Sequence, residues 1–165
     1  HTGQAFDEGG HWASSGKVIP RLFDMLLAHP FFNLAPPKSC GREQFNLDWV
    51  ESNLAGGEPA ADVQATLLAL SATSIASAIE RWCGMPEELA VCGGGAHNST
   101  LLKHLSLLLP NTRIITSDVL GIGVDWVEAA AFAWLARQNL MGLPGNLPAV
   151  TGARGERILG AVYPR

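Results

Sequence analysis

Three consecutive glycines, Gly93-Gly94-Gly95, follow the apolar run Leu89-Ala90-Val91-Cys92 and precede Ala96-His97-Asn98-Ser99. Glycine has no Cβ, so a ligand can approach such a backbone closely. A helix opening just beyond would add unpaired N–H groups and the positive end of its dipole, which suit a phosphate or another polar group. The alternative is a tight turn with no ligand. Three glycines are a costly way to build one, because each loses extra chain entropy on folding. The spacing also half-fits a dinucleotide fingerprint. Gly93 and Gly95 match the first two glycines of G-x-G-x-x-G, Asn98 stands in the third place, and Asp118 lies about where a ribose-binding acid would.

Asp125-Trp126-Val127-Glu128 offers two carboxylates. Spacing favours a capping arrangement, in which Asp125 accepts from first-turn N–H groups and Glu128 reaches back. The other reading is a carboxylate held at the mouth of a site. His97 and His104 are about 10 Å apart by helix rise, too far to share a metal ion. Cys92 ends an apolar strand and reads as a core thiol rather than a nucleophile. Arg42-Glu43 reads as a local ion pair before a ligand clamp. No C-x-x-C, H-x-x-x-H or G-x-S-x-G occurs. Gly16-Lys17 fails as a phosphate loop, since Gly10 is one residue too distant and Val18 stands in place of Ser or Thr.

The elements that must position these groups can be read from periodicity. Residues 1–16 read as a loop with a short helical start. Lys17 to His29 has Val18, Ile19, Leu22, Phe23, Leu26 and Leu27 at helical spacing, with Pro20 in the first turn and a stop before Pro30. Residues 31–57 are irregular and long for a connection, so packed and functional or interfacial; Phe45 to Val50 is a short helix or an extended piece. Pro59 to Trp82 is a helix with Val63, Leu67, Leu70, Ile75, Ala78, Ile79 and Trp82 on one face. Leu89 to Cys92 is a strand, Asn98 to Leu109 a helix and Thr112 to Thr116 a second strand, giving a right-handed β-α-β unit with a parallel pair. Asp125 to about Asn139 is a helix apolar almost all round and therefore expected to be buried. Ala149 to Thr151 and Arg157 to Tyr163 read as short strands around a glycine turn.

The bulk numbers suit one globular domain: 165 residues, 47% hydrophobic, 16% charged. A net charge of -4 and the lack of a Lys/Arg cluster argue against a nucleic-acid surface. The apolar runs read as too short to span a bilayer. Three cysteines without a paired framework favour a reducing, cytosolic setting. The first residue is His1, so a piece of a longer polypeptide is expected.

The blocks FDEGGHWASSGKV, PPKSCGREQFN, DVQATLLALSATSIASAI, VCGGGAHN, GVDWVEAAAFAWLA and GLPGNLPAVTGARGERILGAVYP stand in this order. As an ordered set they resemble anhydro-N-acetylmuramic acid kinases, specifically their C-terminal half, over essentially the whole chain. The resemblance implies an α/β fold of the sugar kinase, heat-shock ATPase and actin group. This chain would be its C-terminal, ribonuclease H-like domain, with a parallel or mixed sheet flanked by helices. It implies an enzyme of bacterial cell-wall (peptidoglycan) recycling that uses ATP and Mg2+. Such an enzyme phosphorylates the sugar while water, activated by an aspartate base, opens the anhydro ring. The product is N-acetylmuramic acid 6-phosphate.

Carried over residue by residue, VCGGGAHN matches the family's adenosine motif. Gly93, Gly94, Gly95 and Ala96 would line the nucleotide, with Asn98 at the helix start. Glu128, in the DW-x-EA block, would face the sugar, which reverses the preference for a cap alone. The family's G-x-S-x-D-G and DTGPGN type blocks are absent from these residues, and the catalytic aspartate belongs with them. The resemblance therefore implies a single α/β domain over 1–165, the nucleotide-binding half of a two-domain kinase, with no catalytic residue or metal ligand of its own and no turnover alone. The implied partners are ATP, the sugar, the N-terminal half and a second copy, with 30–57 as a contact region; neither nucleic acid nor membrane is expected, and the setting is the bacterial cytoplasm. Two other classes stay open: a non-catalytic nucleotide-binding or interaction module, and a Rossmann-type domain.

Overall fold

The computed structural model describes residues 2–163. In chain order the elements are α1 (His11–Ser15), α2 (Pro20–Leu27), α3 (Leu47–Glu51), α4 (Ala60–Trp82), β1 (Glu88–Val91), α5 (Ser99–Leu108), β2 (Arg113–Thr116), α6 (Val127–Leu140) and α7 (Pro148–Thr151). Short 3-10 turns at Glu8–Gly10, Pro30–Asn33, Gly94–His97 and Ser117–Leu120 join them. The chain is thus α/β, with a small parallel sheet flanked by helices.

α4 is the central helix, packed by α1, α2 and α5. α2 begins on Pro20, whose missing N–H costs nothing in a first turn. Its Leu22 and Leu26, four residues apart and so on one face, are fully buried against Leu70 of α4. Each such burial contributes about 1.5–3 kcal/mol. Thr66 fixes the two helices in register. Its buried hydroxyl donates to the Asp62 carbonyl at 2.7 Å and accepts the Ile19 amide at 2.9 Å.

The 31–57 connection is packed. Rings of His29, Phe31, Phe32, Phe45 and Trp49 meet edge-on or stacked at centroid distances of 4.9–6.2 Å. Within it Leu47–Glu51 is helical, as α3, opened by Asn46 accepting the Trp49 amide at 2.9 Å.

The β-α-β unit forms as the pattern predicts. β1 and β2 are parallel, with Glu88 opposite Arg113 and Val91 opposite Thr116. The Arg113 guanidinium donates to the Glu88 carboxylate at the first of these pairs.

Several expectations fail, each for a physical reason. The helical piece in 1–16 comes at the end of the stretch, as α1, because Asp7 accepts the Trp12 and Ala13 amides there. Of the stripe expected on α4, Leu70 is buried and Val63 and Leu67 pack against the core cluster, but Ile75 and Trp82 are exposed, and the other buried residues are Ala65, Thr66, Leu68, Ala72 and Ala76. Close helix packing on several sides favours small residues over the large apolar stripe. α4 is also long and apolar enough, by length and composition, to cross a membrane, against the expectation that no run suffices; here it serves as the core helix. Cys92 lies just past β1 and is exposed, as are Cys40 and Cys83, so it is no core thiol. α6 has no buried residue, because no other described element packs extensively on it. Neither C-terminal strand forms. Pro148 instead opens α7, and the 157–159 backbone is held by Gly145, Asn146 and Asn139 rather than by a sheet edge.

Candidate functional site

The turn after β1 is built by Gly93, at φ +69, a left-handed conformation that glycine adopts without strain. Its amide donates to the Val124 carbonyl at 2.9 Å. The 3-10 turn Gly94–His97 follows, and Asn98 caps α5 by accepting the Leu101 amide at 2.9 Å. The sequence thus gives strand, glycine turn, then helix, with an extra 3-10 turn in between.

A cavity of about 780 Å³ opens against this turn, lined by Gly94, Gly95, His97 and Asn98 on one side and by Phe6, Asp7, Glu8, Gly9 and His11 on the other. Sequence reading missed the second wall. Thr100, in the first turn of α5, holds it in place by donating its hydroxyl to the Gly9 carbonyl at 2.9 Å. Gly10 lets it come so close, since it sits at φ +75 and a Cβ there would lie 2.3 Å from Asn98 Oδ1. The doubled glycine of FDEGGHW was the available signal, but nothing local says that it packs 90 residues away in sequence.

Gly94 and Gly95 behave differently from Gly10. Their φ angles are not in the left-handed region, and a Cβ would meet nothing within 4 Å at Gly94 and only Leu101 Cδ2 at 3.9 Å for Gly95. The protein's own packing therefore does not demand glycine at either position. Both amides lack a protein acceptor among the described residues. Open space where a Cβ would stand, beside free donors, is what close approach of a polar ligand requires.

The remaining predicted residues are placed elsewhere. Gly93 has its amide engaged, and Ala96 is buried; neither lines the cavity. Glu128 is exposed in the first turn of α6 and is not brought into the cavity. The capping arrangement at Asp125 and Glu128 does not form. α6 has no side-chain cap, and Asp125 turns instead to His97, with Nε2 to Oδ1 at 2.8 Å. Arg42 and Glu43 form no ion pair among the described residues. Asp118, the acid of the half-matched fingerprint, is exposed in the 3-10 turn after β2 and does not line the cavity. Among the described residues no three His, Cys, Asp or Glu side chains gather as a metal site.

Comparison with known proteins gives a consistent result. A family model described as anhydro-N-acetylmuramic acid kinase matches residues 1–165. Among curated relatives, the anhydro-N-acetylmuramic acid kinase of Nitrosomonas europaea is 55% identical over 99% of this chain and 45% of its own length. The one from Nitrosospira multiformis is 54% identical with the same coverage, and that of Pseudomonas fluorescens is 52% identical over 98% of this chain and 45% of its own. The chain therefore spans a little under half the length of these relatives.

Proposed function

The chain belongs to the anhydro-N-acetylmuramic acid kinase family, and from that membership we propose that it is the C-terminal, adenosine-binding part of an ATP-dependent kinase acting on anhydro-N-acetylmuramic acid. In that reading the whole enzyme couples hydrolytic opening of the anhydro ring to 6-phosphorylation, in the cytoplasm, and this chain is one domain of an actin-like, two-domain fold. The observation that carries the reading is the Gly94-Gly95 cradle. Its unfilled Cβ positions and free amides border a cavity of about 780 Å³, which is room for the adenosine end of a nucleotide.

The residues present fit that end of ATP. Gly94 and Gly95 admit the ligand, and their amides donate to its polar edge. Asn98 keeps α5 capped, so the turn holds its shape without a ligand. Glu128 supplies an exposed carboxylate that accepts from a sugar hydroxyl. ATP supplies the phosphoryl group when bound. Among the described residues no three His, Cys, Asp or Glu side chains gather as a metal site, so a magnesium ion would be held by the nucleotide's phosphates and by residues of the part of the kinase that this chain does not span. The proposed general base lies in the part of the kinase that this chain does not span.

Calorimetric titration of the chain with ATP, with NAD as the competing ligand, tests the reading. ATP binding that Gly94→Val abolishes, with no loss of thermal stability, is the expected result. NAD-selective binding would favour the dinucleotide alternative and overturn it. Turnover of anhydro-N-acetylmuramic acid by this chain alone would overturn the assignment of the base to the missing part.

A further inference from the structure

The turn that borders the cavity and the helix that carries Glu128 are separate elements, joined side by side at two points. The Gly93 amide donates to the Val124 carbonyl at 2.9 Å. Four residues along the turn and one along the approach to α6, His97 Nε2 lies 2.8 Å from Asp125 Oδ1. A carboxylate can only accept, so the imidazole donates. No other described element packs extensively on α6, and none of its residues is buried. Within these residues the start of α6 is therefore placed by its approach, residues 123–126, rather than by a packed face. Within that approach the Trp126 amide donates to Gly123 at 2.9 Å, closing the turn that delivers Glu128.

We propose that His97 and Asp125 are a positioning pair that couples the nucleotide-side turn to the helix bearing Glu128. The proposal rests on the kinase reading above. His97 lines the cavity with one side of its turn and holds the lead of α6 with its ring, so a ligand that shifts the Gly94–His97 turn shifts Asp125 with it. The side chains are 58% and 67% exposed, and an ion pair so exposed contributes little to folding. Its consequence is geometric: it fixes where the first turn of α6 stands relative to the glycine turn. Loss of the pair leaves the fold intact and only the Gly93–Val124 bond as a tie, which loosens the position of Glu128.

Two measurements test this. In the full-length kinase, His97→Ala and Asp125→Ala each lower kcat/KM for the sugar about tenfold, within the usual range of coupling between sites. The melting temperature stays close to that of the parent. His97→Arg, which keeps a donor to Asp125, restores the sugar parameters, and the double variant is no worse than either single one. Additive losses, or an unchanged kcat/KM for the sugar in an active enzyme, overturn the pair. In the 165-residue chain itself, His97→Ala speeds amide hydrogen exchange at residues 124–128 and leaves α4 unchanged; equal exchange at 124–128 overturns the pair whether or not the enzyme is active. A parent full-length protein that does not phosphorylate the sugar instead overturns the functional reading, so the two failures are distinct.

Discussion

Gly10, just behind one wall of the cavity, and Gly94, in the other, show how two glycines can serve opposite ends. At Gly10 the backbone is left-handed, and an added Cβ would come within 2.3 Å of Asn98 Oδ1 and 2.8 Å of Thr100 Cβ. Gly10→Ala therefore meets two costs, the left-handed conformation at about 1–2 kcal/mol and displacement of the residue that caps α5 at about 1 kcal/mol. Urea unfolding should show a loss of about 2–3 kcal/mol. Gly94→Ala meets open space and should change stability by less than about 0.5 kcal/mol, while weakening nucleotide binding in calorimetry. The sequence makes the triple glycine conspicuous because its three members are adjacent. It hides Gly10, whose constraint comes from Asn98 and Thr100, distant along the chain. His97 was hidden in the same way: its partner Asp125 lies 28 residues on, and local spacing read that aspartate as a cap.

Elements defined by local rules were legible, and those defined by their neighbours were not. α2, α4, α5 and the two strands follow period, proline position and capping chemistry. The face that α4 buries depends on three helices packing around it, which no periodicity within α4 reveals. The Ala149–Thr151 and Arg157–Tyr163 strands failed because β-favouring residues need a ladder to join, and among the described residues no strand runs beside them. Glu58 is a local device that composition could not disclose. Its carboxylate accepts the Ala55 amide at 2.6 Å, the Gly56 amide at 2.8 Å and the Arg21 guanidinium at 3.0 Å. The Ala55 amide foremost, then the other donors, hold its carboxyl below the ordinary carboxylate value. A carboxylate with a depressed folded-state pKa stabilises the fold above its unfolded value, and the contribution is lost as pH falls through the folded one. Glu58→Gln should thus lower stability at pH near 7, and the gap to the parent should close in acid below the ordinary carboxylate range. Denaturant melts across that range check the sign; a gap that widens in acid contradicts it.

At the scale of the molecule, the misplaced expectation about α6 is the most informative. A helix with Val127, Ala129, Ala130, Ala131, Phe132, Ala133, Trp134 and Leu135 in sequence has the composition of a buried element. Yet Phe132 is 63% and Leu140 76% exposed, and exposed Val162 lines the same groove beside them. Composition and exposure agree only if something outside these residues covers the helix. The chain spans 45% of the length of its Nitrosomonas europaea relative, and in the proposed reading the rest of the kinase supplies that cover. An uncovered patch of this kind drives association of monomers. The 165-residue chain alone should therefore self-associate as concentration rises and bind a hydrophobic dye, seen by light scattering and fluorescence. Phe132→Ser with Leu140→Ser should suppress both without lowering the melting temperature, since neither side chain is buried. In the full-length kinase the same pair of substitutions should act in the opposite direction and lower stability by several kcal/mol, as expected for two large apolar groups lost from a covered interface. A full-length protein indifferent to them, together with a chain that stays monomeric and binds no dye, would mean that α6 is meant to face solvent.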